Sequence, residues 1–329
     1  MQAVVFDQTG TADQLYMGQW EKPRPGDEEV LVEVAATALN RADLLQREGK
    51  YPPPKGASPI LGLEISGEIV EVGSKVKRWK KGDLVFGLIS GGGYAEYAVI
   101  HENMAMPVPA QLSLIEAVAI PEVFLTAYQA LSWLADFKEG EKLLIHAGAS
   151  GVGTAAIQLA RNMKATEILV TASASKHQIC LDLGANLAID YKNQDFEEIV
   201  KQHTAEKGVD VIIDFIAAPY FEKNINILNT DGRLILLATL GGVKVEQLNL
   251  LNLLSKRLQI TASTLRSRSL AYQIQLTEAF SAFALPLFAA GELKPIIDRV
   301  YPWEQVVEAH QHMESNQNSG KIVLRIKDT

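Results

Sequence analysis

Three glycines set between an apolar run and a small-residue helix constrain this chain more than any other feature. Leu143-Leu144-Ile145 has the continuous apolar character of a buried strand, Gly148-Ala149-Ser150-Gly151-Val152-Gly153 follows as a turn, and Thr154-Ala155-Ala156-Ile157 opens a helix. Gly148, Gly151 and Gly153 allow a tight turn and close approach of the backbone to a ligand. The first amides of the new helix have no partner within it, so they offer hydrogen bonds and positive potential to an anion. A turn whose glycines serve packing alone would look the same in isolation. The continuation separates the two readings: Ala155, Ala156, Leu159 and Ala160 form a small face able to lie close on a sheet, and a second strand-like run follows at 167–171. Strand, turn, helix and strand in that order are the layout that holds a dinucleotide pyrophosphate. Gly148, Ser150, Gly151, Val152 and Gly153 are therefore candidate cofactor-binding residues.

The chain has 329 residues, which favours two domains, each with its own core. Its formal net charge of −8 argues against a nucleic-acid partner. The one basic cluster, Lys75, Lys77, Arg78, Lys80 and Lys81, is broken by Val76 and Trp79 and reads as a solvated turn. Cys180 is the only cysteine, so the chain has no internal disulfide and no multi-cysteine metal site, which fits a reducing compartment and makes the cytoplasm the expectation. The N-terminal Met1-Gln2-Ala3-Val4-Val5-Phe6 alternates like a strand rather than a signal peptide, and no uninterrupted apolar run reaches ~18 residues, so neither export nor a membrane partner is expected.

Residues 1–121 read as a β-rich domain, with strand-like runs at 30–35, 65–72, 84–88 and 94–99 separated by Pro23-Arg24-Pro25-Gly26, Tyr51-Pro52-Pro53-Pro54 and Gly91-Gly92-Gly93. Over 122–265 helices and strands alternate. Strand candidates at 142–147, 167–171, 186–190, 209–216, 232–239 and 258–264, with helices at 150–162, 175–182, 195–205 and 219–228, predict a doubly wound α/β domain with a parallel six-stranded sheet. The remaining 266–329, with a helix at 271–283, a strand at 297–301, a helix from Trp303 and a terminal strand at 321–324, is too short to stand alone and is expected to rejoin the first domain.

The end of the second strand of a dinucleotide site faces the adenine ribose, where an acid accepts from both hydroxyls of NAD. Here that place reads Thr171-Ala172-Ser173-Ala174-Ser175-Lys176-His177, without an acid. A Ser hydroxyl and a Lys ammonium donate to a 2′-phosphate that a carboxylate would repel, so NADPH is the expected cofactor, with Ser173 and Lys176 as its phosphate ligands. The plainer alternative makes Ser173 a helix cap and Lys176 a surface residue. Tyr191 is a candidate neighbour of the adenine or the phosphate. Ala217, Leu240, Gly241, Thr264 and Leu265 follow the fourth, fifth and sixth strand candidates, whose carboxyl ends line the ligand crevice in such sheets, and Thr126 is a candidate contact at the nicotinamide end.

Further segments carry a resemblance: Ala38-Leu39-Asn40-Arg41-Ala42-Asp43, Leu61-Gly62-Leu63-Glu64-Ile65-Ser66-Gly67, Gly92-Gly93-Tyr94-Ala95-Glu96-Tyr97, Ile120-Pro121-Glu122-Val123-Phe124-Leu125-Thr126-Ala127-Tyr128 and the glycine loop. Through them the whole chain resembles the zinc-free quinone oxidoreductases of the medium-chain dehydrogenase/reductase superfamily. Arg47-Glu48-Gly49-Lys50-Tyr51-Pro52-Pro53-Pro54, Ser263-Thr264-Leu265-Arg266-Ser267-Arg268 and Gly320-Lys321-Ile322-Val323-Leu324 extend the likeness. The resemblance implies a GroES-like β domain and a Rossmann domain with NADPH and substrate between them, a homodimer, and Lys321 as a cofactor contact. It also places the Asn40–Asp43 turn at the site. Zinc members carry a metal-binding His before the acid at Gly62-Leu63-Glu64. Leu63 ligates nothing, and the six His residues form no compact motif, so a metal-free enzyme is expected.

Quinone reduction needs a hydride and protonation of the developing oxyanion, and an already electrophilic acceptor leaves the protein mainly with alignment and hydrogen bonding. Asn40, whose amide donates without titrating, Tyr51, stiffened by the prolines after it, and Ser150 are the candidate catalytic residues. Asn40 also suits a helix cap, with Asp43 in the first turn. His146 reads as a satisfied core residue, Cys180 as a buried helix residue, and Arg266 and Arg268 as either phosphate or partner contacts or surface ion pairs. The expected activity is NADPH-dependent reduction of small quinones. Reduction of a 2-enal or enoyl C=C bond is the alternative enzyme, and a non-catalytic NADPH-binding protein the alternative from another class.

Overall fold

The structure, a computed structural model, describes residues 1–327. The chain divides into two compact units, one formed by Met1–Leu125 and the segment from Arg266 onward, the other by Thr126–Leu265.

In the first unit a seven-stranded sheet runs in the order Ile297–Pro302, Lys321–Arg325, Glu29–Ala38, Glu64–Val72, Leu84–Leu88, Ala105–Pro107, with Tyr97–His101 pairing to Glu29–Ala38. Glu29–Ala38 is central because it is apolar on both faces, with Val30, Leu31, Val32, Val34, Ala36 and Ala38 buried. Its register against Glu64–Val72 slips between Val34 and Ala36, opposite Gly67. A Cβ on Gly67 would sit 2.0 Å from the Glu33 carbonyl oxygen, so only glycine fits that irregularity. The terminal strand Lys321–Arg325 lies antiparallel to Glu29–Ala38, with Val323 opposite Ala38, and the Leu39 amide donates to Ile322 O at 2.9 Å. This pairing sets Lys321 beside Leu39 and Asn40.

The strand expected at 94–99 forms only as Tyr97–His101, because Tyr94 turns its backbone to Leu61 O and Val4 N instead of a ladder. The helix expected at 271–283 continues as Leu270–Ala289 with Pro286 inside it. Leu114–Leu134 is the one helical stretch among the described residues long and apolar enough to cross a membrane, with mean hydropathy 1.4, and it is 72% buried within the fold.

The second unit holds a six-stranded, all-parallel sheet in the order Leu187–Asp190, Glu167–Ala172, Lys142–Ile145, Val209–Asp214, Leu228–Leu236, Gln259–Ala262. Sequence order reverses between Lys142–Ile145 and Val209–Asp214, which makes their carboxyl ends the place where such sheets take a ligand. Leu144, Leu169, Ile189, Ile212 and Leu234 fill the core with Phe196, Val200 and Ile225 from the helices. The fifth strand starts earlier than expected, at Leu228. Asn229-Thr230-Asp231-Gly232 forms an irregular strand start with Asp231 at φ +63°, and beyond Leu236 the chain turns to bond Asp214 O through Leu237 N at 2.9 Å.

Candidate active site

In the first unit, strand Glu29–Ala38 ends at a short connection before helix Arg41–Arg47, and Asn40 occupies the N-cap in extended conformation. Its backbone N–H donates to Asp43 Oδ2 at 2.8 Å, one half of the reciprocal cap that an Asn-x-x-Asp spacing permits. Its side chain faces inward instead: Nδ2 donates to Glu64 Oε1 at 2.8 Å, while Oδ1 accepts from Lys321 Nζ at 2.7 Å. Lys321 also donates to Leu39 O at 2.6 Å and pairs with Glu64 Oε1 at 2.6 Å. The three N–H groups of the ammonium are thus all spent within the unit. Glu64 Oε2 accepts the Glu122 backbone N–H at 2.8 Å. Lys321 is therefore a buried lysine and not a solvated surface one, being only 3% exposed.

Asp43 is fully buried and accepts from the Gly62 N–H at 3.0 Å and from the Tyr94 hydroxyl at 3.5 Å. Gly62, at φ +96°, brings that N–H to the carboxylate in a conformation L side chains avoid. Burial pushes the Asp43 pKa up to about 6, although these backbone bonds and the Lys321 and Arg266 charges pull it down. Behind Tyr94 a chain of hydrogen bonds has a fixed direction. Arg47, which only donates, meets His310 Nδ1 at 3.1 Å, so the imidazole proton is assigned to Nε2, facing the Tyr94 oxygen at 3.3 Å, and the Tyr94 hydrogen is left for Asp43. Burial and the Arg47 charge hold His310 neutral, down to about 3.

Glu122 begins helix Pro121–Tyr128 and retains some surface exposure, and its carboxyl makes no hydrogen bond among the described residues. Burial and the Glu64 charge raise its pKa to about 8, so it is largely protonated near neutrality. Tyr51 is half-buried, with the Arg266 guanidinium 5.7 Å from its ring centre. Arg266 is not a surface residue, because Nε and Nη2 both reach Ser90 O inside this unit, at 3.0 and 2.7 Å.

In the second unit the glycine loop leaves strand Lys142–Ile145 and enters helix Gly151–Asn162. The left-handed residue of the turn is Ala147, at φ +52°, rather than a glycine. Gly148 and Gly153 answer close packing: a Cβ would lie 2.6 Å from Val170 Cβ in the first case and 2.4 Å from Ala147 O in the second. Ser150 is the N-cap, its Oγ accepting from the Gly153 N–H at 3.1 Å. The Gly151 and Val152 N–H groups have no acceptor among the described residues and present the unpaired donors an anion needs.

The other candidates of this unit, apart from Thr126, follow the carboxyl ends of strands. Ser173 is the N-cap of a 3-10 turn, Ala174–Lys176, yet its side chain makes no capping bond, and its hydroxyl has no hydrogen-bond partner among the described residues. Lys176 is partly exposed at the start of helix His177–Asp182, and Tyr191 is exposed. The loops after the fourth and fifth strands are zipped together by Leu240 N to Phe215 O at 3.0 Å and Gly241 N to Ile216 O at 2.9 Å, with Ala217 at φ +67° between them. Thr264 and Leu265 follow the last strand, and Thr126 lies in helix Pro121–Tyr128. Beneath the loops runs a buried chain. Thr171 Oγ1 lies 3.0 Å from His146 Nδ1, His146 Nε2 lies 2.8 Å from Asn224 Oδ1, and Asn224 Nδ2 donates to Asp214 Oδ2 at 3.0 Å. Asp214 Oδ1 accepts from the Ile216 and Ala217 N–H groups at 2.6 and 3.2 Å.

The structure thus joins Asn40, Asp43 and Lys321 in one buried cluster. Sequence reasoning missed Glu64, Glu122, Tyr94 and His310 there, and Asn224 with Asp214 in the second unit. Glu64 and Glu122 were visible inside the quoted segments Gly62-Leu63-Glu64 and Pro121-Glu122, but an apolar neighbourhood gives no warning that the Glu64 carboxylate meets the Glu122 backbone N–H.

Residues 26–110 match the alcohol dehydrogenase GroES-like domain and residues 183–324 the zinc-binding dehydrogenase family. Quinone oxidoreductase from Lama guanicoe is 34% identical over 311 residues, 93% of this chain and 91% of that protein. The structure of Escherichia coli quinone oxidoreductase complexed with NADPH superposes with a TM-score of 0.88 at 30% identity, covering 99% of this chain and all of that one. CurK enoyl reductase superposes at 0.87 with 29% identity and 98% of each chain covered. The chain belongs to the medium-chain dehydrogenase/reductase superfamily, with its GroES-like domain and nicotinamide-dinucleotide-binding Rossmann domain. Within that superfamily it is an oxidoreductase with quinone oxidoreductases among its relatives.

The loop with its unpaired Gly151 and Val152 amides fits the dinucleotide. The zinc named in one family description does not fit: Glu64 spends both oxygens on Lys321, Asn40 and the Glu122 amide, and among the described residues no group of three or more His, Cys, Asp or Glu is arranged to hold a metal.

Proposed function

We propose that the protein is a metal-free NADPH:quinone oxidoreductase. The observation that carries the cofactor choice is the loop 173–176, where an uncommitted Ser173 hydroxyl and Lys176 stand without a ribose-binding acid. Gly148, Gly151, Val152 and Gly153 would receive the pyrophosphate, Ser173, Lys176 and Tyr191 the phosphorylated adenosine, and Thr126, Ala217, Leu240, Gly241, Thr264 and Leu265 the nicotinamide side. Bound there, the cofactor supplies a hydride. Asn40, Tyr51 and Ser150 act by positioning and hydrogen bonding, with Asp43 and Lys321 fixing Asn40. Lys176→Glu is expected to weaken NADPH by about tenfold or more and NADH little, in fluorescence titrations; equal losses would overturn the choice of NADPH.

The acceptor is proposed from the quinone oxidoreductase relatives. The second reading, reduction of a 2-enal, is favoured by Glu122, a neutral acid suited to protonating carbon. Stopped-flow oxidation of NADPH with a small quinone and a 2-enal side by side decides between them. Turnover of the enal alone rejects the first reading, and binding without turnover of either leaves the non-catalytic alternative. We also propose a cytoplasmic homodimer. The last strand Gln259–Ala262 is an open sheet edge, and Ile260, Leu250, Leu251 and Leu254 near it in sequence are exposed, an apolar edge that a second copy would cover.

A further inference from the structure

Arg266 is 94% buried by its 6% exposure, and its guanidinium is half used. Nε and Nη2 converge on one carbonyl, Ser90 O, while Nη1 is buried with no acceptor. Among the described residues no carboxylate lies within ion-pair distance of it. Asp43 and Glu122 contribute only longer-range field, and Glu122 is largely neutral near pH 7, so the positive charge is not cancelled locally. Buried donors without acceptors are rare in native proteins because the lost hydration is not repaid, and one held in a rigid fork calls for an oxygen from elsewhere. The Tyr51 ring stands 5.7 Å from the guanidinium at the head of residues 51–59, which form no helix or strand.

We propose that Arg266 is the oxyanion-binding residue of the acceptor subsite, its Nη1–H receiving the oxygen of a conjugated carbonyl and Tyr51 covering the acceptor. This rests on the reading that the chain reduces such an acceptor. A reduced nicotinamide bound beside the acceptor would supply the hydride, which is two electrons carried with one proton, and would itself be oxidised. For a quinone, the new bond forms at one carbonyl oxygen, the ring π electrons shift, and the opposite oxygen gains the negative charge. For an enal, it forms at the β-carbon and the carbonyl oxygen gains the charge. In both cases the acceptor becomes a monoanion whose charged oxygen faces Arg266. Glu122 or water then supplies the second proton, to that oxygen or to the α-carbon, and Glu122 is reprotonated from solvent. A fixed cation at the place where charge develops favours the transition state over the neutral acceptor.

The test uses the full chain. Arg266→Met should lower kcat/KM for the acceptor about 100-fold while NADPH affinity, read by fluorescence, is unchanged, and Arg266→Lys should recover part of the loss. Independently of turnover, 4-nitrophenolate should bind the unaltered protein about tenfold more tightly than the neutral phenol, a drop of about one pKa unit in its absorbance titration, and Arg266→Met should erase that difference. Unchanged acceptor kinetics in Arg266→Met, equal losses for NADPH and acceptor, or equal binding of phenol and phenolate would overturn the proposal. If the unaltered protein reduces neither acceptor, the functional reading falls, and the nitrophenolate titration still decides the arginine. It also decides if Arg266→Met fails to fold.

Discussion

Each unit hides a polar network, and the two are built on opposite principles. In the parallel-sheet unit, Thr171, His146, Asn224 and Asp214 form a chain in which each link has one donor and one acceptor role, and Asp214 ends on the backbone N–H groups that shape the turn at 216–217. Burial lowers the His146 pKa, so the ring stays neutral. In the first unit, Glu64, Lys321, Asp43, Glu122 and Arg266 bring five ionisable groups into the interior. Only Glu64 and Lys321 pair with each other, and both Asp43 and Glu122 have their pKa values raised. A network that closes on itself fixes a shape. One that leaves protons displaced and a donor open is where chemistry is expected, because catalysis needs groups that change state.

The largest effect should come from breaking the Glu64–Lys321 pair at the centre of that cluster. Lys321→Met leaves Glu64 buried without its cation, and removing one partner of a buried pair typically costs about 3–5 kcal/mol. Urea unfolding measures this directly. Adding Glu64→Gln should return a large share, since no buried charge remains, the amide oxygen accepts the Glu122 N–H, and the amide N–H can donate to Asn40 Oδ1, which the loss of Lys321 sets free. A loss below about 1 kcal/mol in the single variant would mean that solvent replaces the lysine, and the cluster would not be the tight core described.

Breaking the closed chain of the second unit should cost less and act on different observables. Asn224→Leu strands His146 Nε2–H in the core and leaves Asp214 Oδ2 with the Ala217 N–H as its remaining donor, worth about 2–3 kcal/mol. Because Asp214 holds the Ile216 and Ala217 amides, NADPH affinity should fall with stability. The pH profile of turnover should keep its shape, because the chain is closed around a neutral ring. A shifted profile would show that His146 takes part in proton movement, and the contrast between the two networks would fail.

How legible these networks were in the sequence follows from what each depends on. The sheet order of the second unit was readable because six apolar runs alternate with helical segments, and parallel strands buried on both faces have few other arrangements. Ser150 was readable as part of the loop, where the structure also makes it the helix cap. The left-handed turn at Ala147 was not, since composition points to the glycines beside it. In the first unit Asn40 and Asp43 announced themselves by cap spacing. The partnership of Asn40 with Glu64 and Lys321 spans 24 and 281 positions, and only the return of strand Lys321–Arg325 to the sheet creates it. Arg266 was ambiguous in sequence because burial, not identity, decides whether an arginine is a surface group or a site.

The smallest and most discriminating change is Glu122→Gln. The Glu122 pKa rises from 4.5 to about 8 on folding, so folding favours the protonated acid. That contribution is complete below pH 4.5 and is lost as pH climbs toward 8. Asp43, raised from 3.8 to about 6, works in the same direction over a lower range and is untouched by the substitution. Chemical unfolding at a series of pH values should show stability falling between pH 5 and 8 in the unaltered protein and a flatter curve in Glu122→Gln. Above pH 8 the variant should be the more stable by about 1–2 kcal/mol, less than the full shift implies because the side chain is partly open to water. Parallel curves would mean that Glu122 is an ordinary surface carboxylate, and the first unit would then differ from the second only in having a better-buried ion pair.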